Sequence, residues 1–262
     1  MPTLYDELVA HRRNKHDKRV FGLILQGGGM RAVYSAGAVK TLTSYGLSDA
    51  FDHVIGSSAG AINAAYLLAG DGDAKNTYTD DLTNKNFVNL LRKEKKVDVD
   101  FLVDEVLTNR RSIDVAALNA SPSKLHIIVT DAKTGKEVIL SDHHRFSQIY
   151  EEFRATAALP LLYDKKISVF GQEYIDGAVA NMLPIDIAKK LGCSDIVVIL
   201  TQKLETYHFD KAHTHLVHHL VKRFAKNHTD AVRESLPTNE RKLRANLRLI
   251  HPSSQRLSAV LT

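Results

Sequence analysis

Short apolar runs alternate with helix-compatible segments along most of the chain. The runs occupy residues 21–26, 53–56, 124–130 and 195–200. Their length and β-branched content predict buried strands. Residues 30–45 and 59–68 follow the first two runs and are compatible with helices. Strands that alternate with helices predict an α/β fold with a mainly parallel sheet that is covered on both faces.

Further segments extend this pattern. Residues 98–107 and 146–158 are predicted helices, and the second ends before Pro160 because a proline disfavours helix in the residue that precedes it. A turn at residues 131–136 lies between two apolar runs and predicts a hairpin at the margin of the sheet. Residues 172–175 are predicted to form one more short strand.

Two predictions concern the last part of the chain. Apolar residues recur at helical spacing in residues 213–225, beside the basic Lys222 and Arg223, and this pattern predicts an amphipathic helix. One face of such a helix packs either on the protein core or on a membrane surface. Residues 247–252 are predicted to form a late strand.

The composition is that of a globular protein with one large domain. Of its 262 residues, 44% are hydrophobic and 25% are charged, which is enough to bury a full core. We expect a basic helical segment at residues 1–20 and a main domain at residues 21–262. No apolar stretch reaches the ~18 residues of a membrane span, and no secretory signal is visible. A cytoplasmic location is therefore expected, and it is compatible with peripheral membrane binding or with non-classical export.

The only cysteine is Cys193, so the chain forms neither an intramolecular disulfide nor a cysteine-based zinc cluster. It precedes an apolar run, which predicts a buried and inert thiol.

The chain is basic, with a formal net charge of +5. Basic residues cluster in residues 12–19, 92–96 and 222–248. Such clusters are either solvated faces or contacts to anionic partners, and an anionic phospholipid surface is one such partner. No nucleic-acid-binding motif with interleaved aromatic residues is recognisable, so no nucleic acid is expected as a partner.

A Gly-x-Ser-x-Gly pentapeptide marks a candidate nucleophile. Gly56, Ser58 and Gly60 occupy its fixed positions, between the second predicted strand and the helix that follows it. This context is typical of a nucleophile elbow, in which the serine hydroxyl stands above the N-terminus of a helix and can attack an acyl carbon. A tight strand-to-helix turn without chemistry has the same sequence form.

The serine needs a base, and the sequence offers two kinds. Seven of the histidines that follow Ser58 are candidates, so the Ser, Asp, His order of an α/β-hydrolase triad stays open. They are His143, His144, His208, His213, His215, His218 and His219. Their spacing gives only weak support for a metal site, and we predict none. The second kind of base is Asp176, which follows a predicted strand, although Asp176-Gly177 is also a common turn dipeptide.

A glycine loop follows the first predicted strand. Gly27, Gly28 and Gly29 precede a helix and, with Ala32, match the dinucleotide fingerprint, which leaves a nucleotide-binding protein as a non-enzymatic alternative. The acidic residue that this fingerprint requires at the end of the next strand is absent. A glycine loop at a helix N-terminus also binds other anions, including the oxyanion of an acyl transfer.

The three motifs stand in the order Gly27-Gly28-Gly29-Met30-Arg31, Gly56-Ser57-Ser58-Ala59-Gly60 and Asp176-Gly177-Ala178. Together they resemble the patatin-like phospholipases. The resemblance continues through residues 154–160 and 184–188 and covers roughly residues 20–200. It implies a three-layer α/β/α sandwich with a mainly parallel sheet, and it places the motif-bearing part of the acyl hydrolase domain at residues 21–200.

The resemblance also implies the site. Ser58 is the expected nucleophile, Asp176 the proton acceptor of a dyad without histidine, and Gly27, Gly28 and Gly29 the oxyanion hole. Arg31 is a candidate support for the oxyanion or for a lipid phosphate, and Gly56, Gly60, Gly177 and Ala178 complete the motifs.

The implied activity is that of a phospholipase A or lysophospholipase. Its substrates are phospholipids or lysophospholipids at a membrane surface, and it needs neither a metal nor an organic cofactor. A lipid-docking protein with a decayed centre is the remaining alternative. The chain departs from the family pattern at Ala32, where glycine is usual, so a methyl group is expected near the loop. A lid is expected within residues 70–111, where residues 71–89 and 92–96 are predicted to form an exposed, mobile insertion.

Overall fold

Eight strands form one sheet in the computed structural model, which describes residues 2–14, 17–141, 146–163, 165–202 and 259–261. The strands are β1 (Phe21–Leu25), β2 (His53–Ser57), β3 (Lys124–Asp131), β4 (Glu137–Leu140), β5 (Ile167–Val169), β6 (Gln172–Asp176), β7 (Asp195–Ile199) and β8 (Ala259–Leu261). The path through the sheet is β5-β6-β3-β2-β1-β7-β8, and β4 pairs with β3.

Helices connect the strands. They are α1 (Leu4–Arg13), α2 (Val33–Ser44), α3 (Ala59–Leu68), α4 (Ala74–Asn76), α5 (Val115–Ala120), α6 (Phe146–Thr156), α7 (Gly177–Asn181) and α8 (Ile185–Lys190). Gly29–Ala32 form a 3-10 turn, so the predicted helix at residues 30–45 is divided into this turn and α2.

The centre of the sheet is parallel. β1 pairs in parallel with β2 and β7, β2 with β3, and β7 with β8. The pairings of β3 with β4 and β6, and of β5 with β6, are antiparallel. The hairpin predicted around residues 131–136 is present as β3 and β4, with β4 as a short edge strand.

Both faces of the sheet carry buried side chains. Along β7, Val197 and Ile199 belong to one hydrophobic cluster, whereas Ile196 and Val198 belong to another. The first cluster includes side chains of α2, α3 and α6, and the second includes side chains of α8. Because successive side chains of a strand point to opposite faces, the two clusters are core layers on opposite sides of the sheet. The architecture is the predicted three-layer α/β/α sandwich.

Cys193 lies in the second cluster, where burial raises the pKa of its thiol to about 11. The prediction of a buried thiol is confirmed.

The helix predicted at residues 98–107 is present with a wider winding. Phe101–Arg110 form a π-helix, and the N–H of Arg111 donates to the carbonyl of Val106 at 2.7 Å. Its buried residues are Leu102, Val103, Val106 and Leu107. An apolar spacing of three and four residues predicts a helical face but does not reveal how tightly the helix winds.

Residues 70–111 are largely packed against the core, so the expectation of an exposed insertion is wrong for most of this segment. Tyr78, Leu82 and Phe87 are buried. The Nε of Arg111, at the end of the segment, donates to the carboxylate of Asp81 at 2.8 Å. The segment contains many polar residues, so the sequence pattern did not reveal the few aromatic and aliphatic side chains that pack it against the core.

Three findings concern the chain ends. α1 lies within the predicted basic segment and buries Leu8. The predicted amphipathic helix at residues 213–225 and the predicted strand at residues 247–252 lie outside the described residues. β8 was not predicted. Within the described ranges, no helix has the length and apolar character that a membrane crossing requires.

Candidate active site

Ser58 occupies the sharp turn between β2 and α3. Its backbone angles, φ 53° and ψ −135°, lie in a region that non-glycine residues seldom adopt, at a cost on the order of 1–3 kcal/mol. A Cβ on Gly56 would lie 2.5 Å from the N of Ala61, and a Cβ on Gly60 would overlap the carbonyl oxygen of Leu25. Both glycines therefore permit the close approach of α3 to the sheet.

β2 and β6 meet end to end along one edge of β3. β2 pairs with residues 124–128 of β3, and β6 pairs with residues 129–131. β4 pairs with residues 127–130, so it overlaps both and occupies the opposite edge. The register sets Ser57 beside Ile128 and Asp176 beside Val129. This topology brings the residue after Ser57 next to Asp176.

The Ser58 hydroxyl lies near the carboxyl group of Asp176, close enough to lower its pKa. Asp176 is 1% exposed, and its Oδ1 accepts the N–H of Ala178 at 2.7 Å at the start of α7. Burial raises the pKa of Asp176 to about 7, although the hydrogen bond from Ala178 and the nearby hydroxyl of Ser58 each lower it. The carboxylate is therefore about as basic as an ordinary histidine, whose pKa is about 6.5.

The Asp176-Gly177 dipeptide is a strand-to-helix junction and not a hairpin turn. A Cβ on Gly177 would overlap the carbonyl oxygen of Ile128 and would lie 3.2 Å from the Cβ of Ser57. Glycine at this position therefore lets α7 begin against β2 and β3, and it holds the carboxylate of Asp176 at the end of the sheet.

The glycine loop passes directly against the turn of Ser58. A Cβ on Gly27 would lie 2.7 Å from the carbonyl oxygen of Ser57 and 3.1 Å from the Cβ of Ser58. Gly29 has a φ of 56°, which favours glycine. In the part of the chain that the structure describes, the N–H groups of Gly27, Gly28 and Gly29 bind no acceptor. Unoccupied backbone donors beside a serine hydroxyl are suited to binding an anion.

Two buried side chains that the sequence analysis missed hold this loop. The Oγ1 of Thr201 donates to the carbonyl of Gly27 at 3.0 Å, and the N–H of Thr201 donates to the Oε1 of Gln26 at 3.0 Å. Gln26 follows β1 directly, and Thr201 lies two residues after the end of β7. A polar residue at that position is a usable signal, because the carboxyl ends of parallel strands lie at the same edge of a sheet.

Thr156 is a third missed residue. Its Oγ1 accepts the N–H of Ser58 at 2.8 Å and donates to the carbonyl of Ile128 at 2.6 Å. The hydroxyl thus links Ser58, the residue after β2, to Ile128, the residue of β3 that pairs with Ser57, and the side chain is fully buried. It lies inside residues 154–160, a segment of the resemblance to which no role had been assigned.

Arg31 and Ala32 follow the loop. The Nη1 of Arg31 donates to the Oε1 of Gln202 at 2.8 Å, and among the described residues Arg31 has no carboxylate partner. Ala32 is fully buried, and its carbonyl accepts the side-chain amide of Asn63 at 2.9 Å. The methyl group of Ala32 belongs to the hydrophobic core, which accommodates the departure from the family pattern.

The histidines that the structure describes lie toward the amino ends of the strands, away from Ser58. The Nδ1 of His53 lies 2.9 Å from the Nε2 of His126, and His11 contacts the carboxylates of Asp17 and Asp52. The seven candidate bases from the sequence all fall outside the residues whose side chains are described. Within the described ranges, no cluster of His, Cys, Asp or Glu side chains is placed to hold a metal ion.

The chain is similar to several known proteins. YjjU of Escherichia coli strain K12, an uncharacterized protein, is 25% identical over 193 residues, which are 71% of this chain and 53% of YjjU. The crystal structure of VipD from Legionella pneumophila superposes with a TM-score of 0.49 at 15% identity and covers 78% of this chain and 53% of VipD.

ExoU from the type III secretion system of Pseudomonas aeruginosa, solved in complex with SpcU, gives a TM-score of 0.37 at 14% identity, over 87% of this chain and 53% of the other. The chain thus spans about half the length of each of these relatives. The family model described as patatin-like phospholipase matches residues 23–189, a span that includes the glycine loop, Ser58 and Asp176. The chain belongs to the patatin-like phospholipase family.

Proposed function

We propose that this protein hydrolyses the acyl esters of phospholipids or lysophospholipids at a membrane surface, with Ser58 as the nucleophile and Asp176 as its general base. One observation carries the proposal: the register of the sheet sets Ser58 beside Asp176, a buried carboxyl group whose pKa is raised to about 7. Membership of the patatin-like phospholipase family supports a lipid substrate.

The first step is acylation of Ser58. Asp176 accepts the proton of the hydroxyl as the oxygen bonds to the ester carbon. A base with a pKa near the working pH is effective because it is both deprotonated and basic enough to take the proton. The protonated Asp176 then returns this proton to the leaving alcohol, and the acyl group stays on Ser58.

The negative charge that develops on the carbonyl oxygen needs donors. The N–H groups of Gly27, Gly28 and Gly29 lie in the loop that packs against Ser58, and we assign them to this role. Loss of one such donor costs about 3 kcal/mol of transition-state stabilisation. Arg31 lies next to the loop with its guanidinium exposed, and we assign it to a substrate phosphate.

Deacylation repeats the same proton transfers with water. Asp176 removes a proton from a water molecule, whose oxygen attacks the acyl carbon, and then returns the proton to Ser58. The products are a free fatty acid and the regenerated enzyme. No step requires a metal ion or an organic cofactor.

The test is fatty-acid release from phospholipid and lysophospholipid vesicles with EDTA present throughout. We expect release by the wild type and none by Ser58→Ala or Asp176→Asn. Ser57→Ala is the control for the first variant. Ser57 precedes Ser58, and its hydroxyl is buried and has no hydrogen-bond partner among the described residues. Asp114→Asn is the control for the second, because Asp114 caps α5 as Asp176 caps α7.

Three outcomes would contradict the proposal. Absence of release by the wild type from any lipid or short-chain ester favours a binding protein. Release that survives Asp176→Asn but is lost on alanine replacement of a later histidine favours the triad of an α/β-hydrolase. Release that survives Ser58→Ala excludes Ser58 as the nucleophile.

A further inference from the structure

A short hairpin carries the two most exposed aliphatic side chains of the described chain. Val88 and Val97 form an antiparallel bridge, and the N–H of Asn89 donates to the carbonyl of Lys96 at 2.8 Å. Leu90 and Leu91 lie in the turn between them and are 70% and 95% exposed. Two adjacent leucines that protrude from a turn leave their apolar surface in water, so a partner that buries them is expected.

The side chain of Arg92 stabilises the conformation of the hairpin. Its Nη2 donates to the carbonyls of Lys85 and Asn86 at 2.9 and 3.2 Å, and its Nη1 also contacts Asp98 at 3.4 Å. A guanidinium that satisfies several carbonyls fixes a loop without a hydrophobic core of its own. The two leucines are therefore presented on a preformed support, and burying them costs little ordering entropy.

Exposed lysines flank the leucines along the chain. Lys93 follows the turn and Lys85 precedes the hairpin, and both are exposed and have no carboxylate partner among the described residues. Lys95 is neutralised by Asp100. Glu94 is the one acidic residue within residues 88–97. Apolar side chains beside unpaired lysines match the acyl region and the phosphates of an anionic lipid surface.

The hairpin lies at the same end of the sheet as Ser58. The N–H of Val97 donates to the carbonyl of Leu162 at 3.0 Å. The segment that contains Leu162 begins just after Ala158, whose carbonyl accepts the N–H of Asp176 at 3.0 Å. A membrane that contacts the hairpin therefore faces the end of the molecule that carries the Ser58 hydroxyl.

We propose that Leu90 and Leu91 insert into an anionic phospholipid bilayer while Lys85 and Lys93 contact its phosphates. The choice of a lipid bilayer rests on the proposed function, but docking through the hairpin requires no hydrolysis. Residues 88–97 are thus a membrane anchor that brings the site to its substrate.

The sharpest test uses the absence of tryptophan from the chain. Leu91→Trp, made together with Ser58→Ala to preserve the lipids, introduces a single emitter at the tip. With vesicles of phosphatidylcholine and phosphatidylserine, we expect its emission to shift to shorter wavelength and to be quenched by brominated acyl chains. Tyr45→Trp in the same background is the control, because Tyr45 is 62% exposed at the end of α2, at the opposite end of the sheet.

A second arm measures affinity by vesicle sedimentation in the Ser58→Ala background. Leu90→Ser with Leu91→Ser is expected to weaken binding about tenfold or more, whereas Tyr45→Ser leaves it unchanged. Lys93→Glu is expected to weaken binding only to vesicles that contain phosphatidylserine. Lys189→Glu, an exposed lysine on α8, is its control.

Three results would overturn the docking proposal: a wild-type affinity in the double leucine variant, an unshifted emission of Trp at position 91 while the protein sediments with vesicles, or no binding of the parent protein to any vesicle. Turnover of a soluble short-chain ester separates this proposal from the proposed function. In a chain with Ser58 intact, the double leucine variant is expected to keep that turnover. If the protein hydrolyses no ester but its tip still inserts into vesicles, the proposed hydrolysis is refuted and membrane docking through the hairpin is retained.

Discussion

Two strand-to-helix turns lie side by side at the carboxyl ends of β1 and β2. Both reverse the chain sharply, but they use different residues to do so. The first consists of Gly27, Gly28 and Gly29, whose lack of side chains leaves backbone N–H groups open. The second places the non-glycine Ser58 at a φ of 53°. One turn offers donors, and the other holds a single hydroxyl in a strained position.

Each turn is supported by a different part of the sheet. The glycine loop is tied to β7 through Thr201, which binds the carbonyl of Gly27. The turn of Ser58 is tied to β3 through Thr156, and it lies beside Asp176 at the end of β6. Neighbouring elements therefore provide the contacts that keep each turn in its conformation, and changes in the two turns are expected to have separable effects.

The largest expected effect is on the second turn. Ser58→Ala is predicted to lower ester turnover by about 10⁴-fold or more. Ser58→Gly is predicted to be equally inactive but more stable than Ser58→Ala by about 1 kcal/mol, because glycine adopts a positive φ without strain. Urea denaturation measures the stability difference. Equal stability of the two variants would show that the turn stores no strain.

The next effect concerns the carboxylate beside that turn. Burial raises the pKa of Asp176 from 3.8 to about 7, so between these values the folded protein holds a proton that the unfolded chain has lost. This group therefore lowers stability as pH rises, by about 1.4 kcal/mol per pH unit.

Asp176→Asn removes this titration. The free energy of unfolding of the variant minus that of the wild type is expected to increase between about pH 4 and pH 7, by up to a few kcal/mol. Above about pH 7 this difference is expected to stay constant. Chemical denaturation across this range measures the difference, and Asp114→Asn is the control. A constant difference at every pH would mean that the pKa of Asp176 is not raised.

A smaller effect is expected in the glycine loop. Gly27→Ala puts a methyl group against the carbonyl of Ser57, so we expect kcat to fall by about 10²-fold, the order of one lost oxyanion donor. Gly29→Ala meets open space and costs only backbone strain, about 1 kcal/mol of stability. Steady-state kinetics together with thermal unfolding separate the two. A larger loss of kcat in Gly29→Ala would reverse the assignment.

The smallest effect is expected at Thr156. Thr156→Val leaves the N–H of Ser58 and the carbonyl of Ile128 without a partner, which costs about 1–3 kcal/mol of stability. Because Thr156 positions Ser58 without touching substrate, we expect kcat to fall about tenfold with little change in KM. Thr156→Ser keeps the hydroxyl and is expected to restore kcat. Failure of serine to restore it would indicate a packing role only.

The periodicity of apolar residues was sufficient to predict the α/β fold. Buried strands on both sides of Ser58 and beside Asp176 have strong local signals, and three ordered motifs identified the glycine loop, Ser58 and Asp176. The π-helical winding of Phe101–Arg110 was not predictable, because it depends on packing of the helix against α6 and its neighbours. The burial of residues 70–111 was not predicted either, because polar residues in this segment outnumber the aromatic side chains that anchor it.

The supporting side chains show another limit of sequence reasoning. Gln26, Thr156 and Thr201 act through contacts to residues far away in the chain. Their roles arise only when β3, β7 and α6 are assembled around the turns. The pKa of Asp176 likewise depends on its burial between β2, β3 and α7, which no local pattern encodes.

The most direct test of the central claim is the rate at which a fluorophosphonate labels Ser58, measured by mass spectrometry of peptides from about pH 5 to pH 9. We expect one modified residue, Ser58, with a labelling rate that rises with pH through the loss of one proton near pH 7. We also expect Asp176→Asn to abolish this labelling. Modification of another serine, or an unchanged rate in Asp176→Asn, would contradict the assignment of Asp176 as the base that activates Ser58.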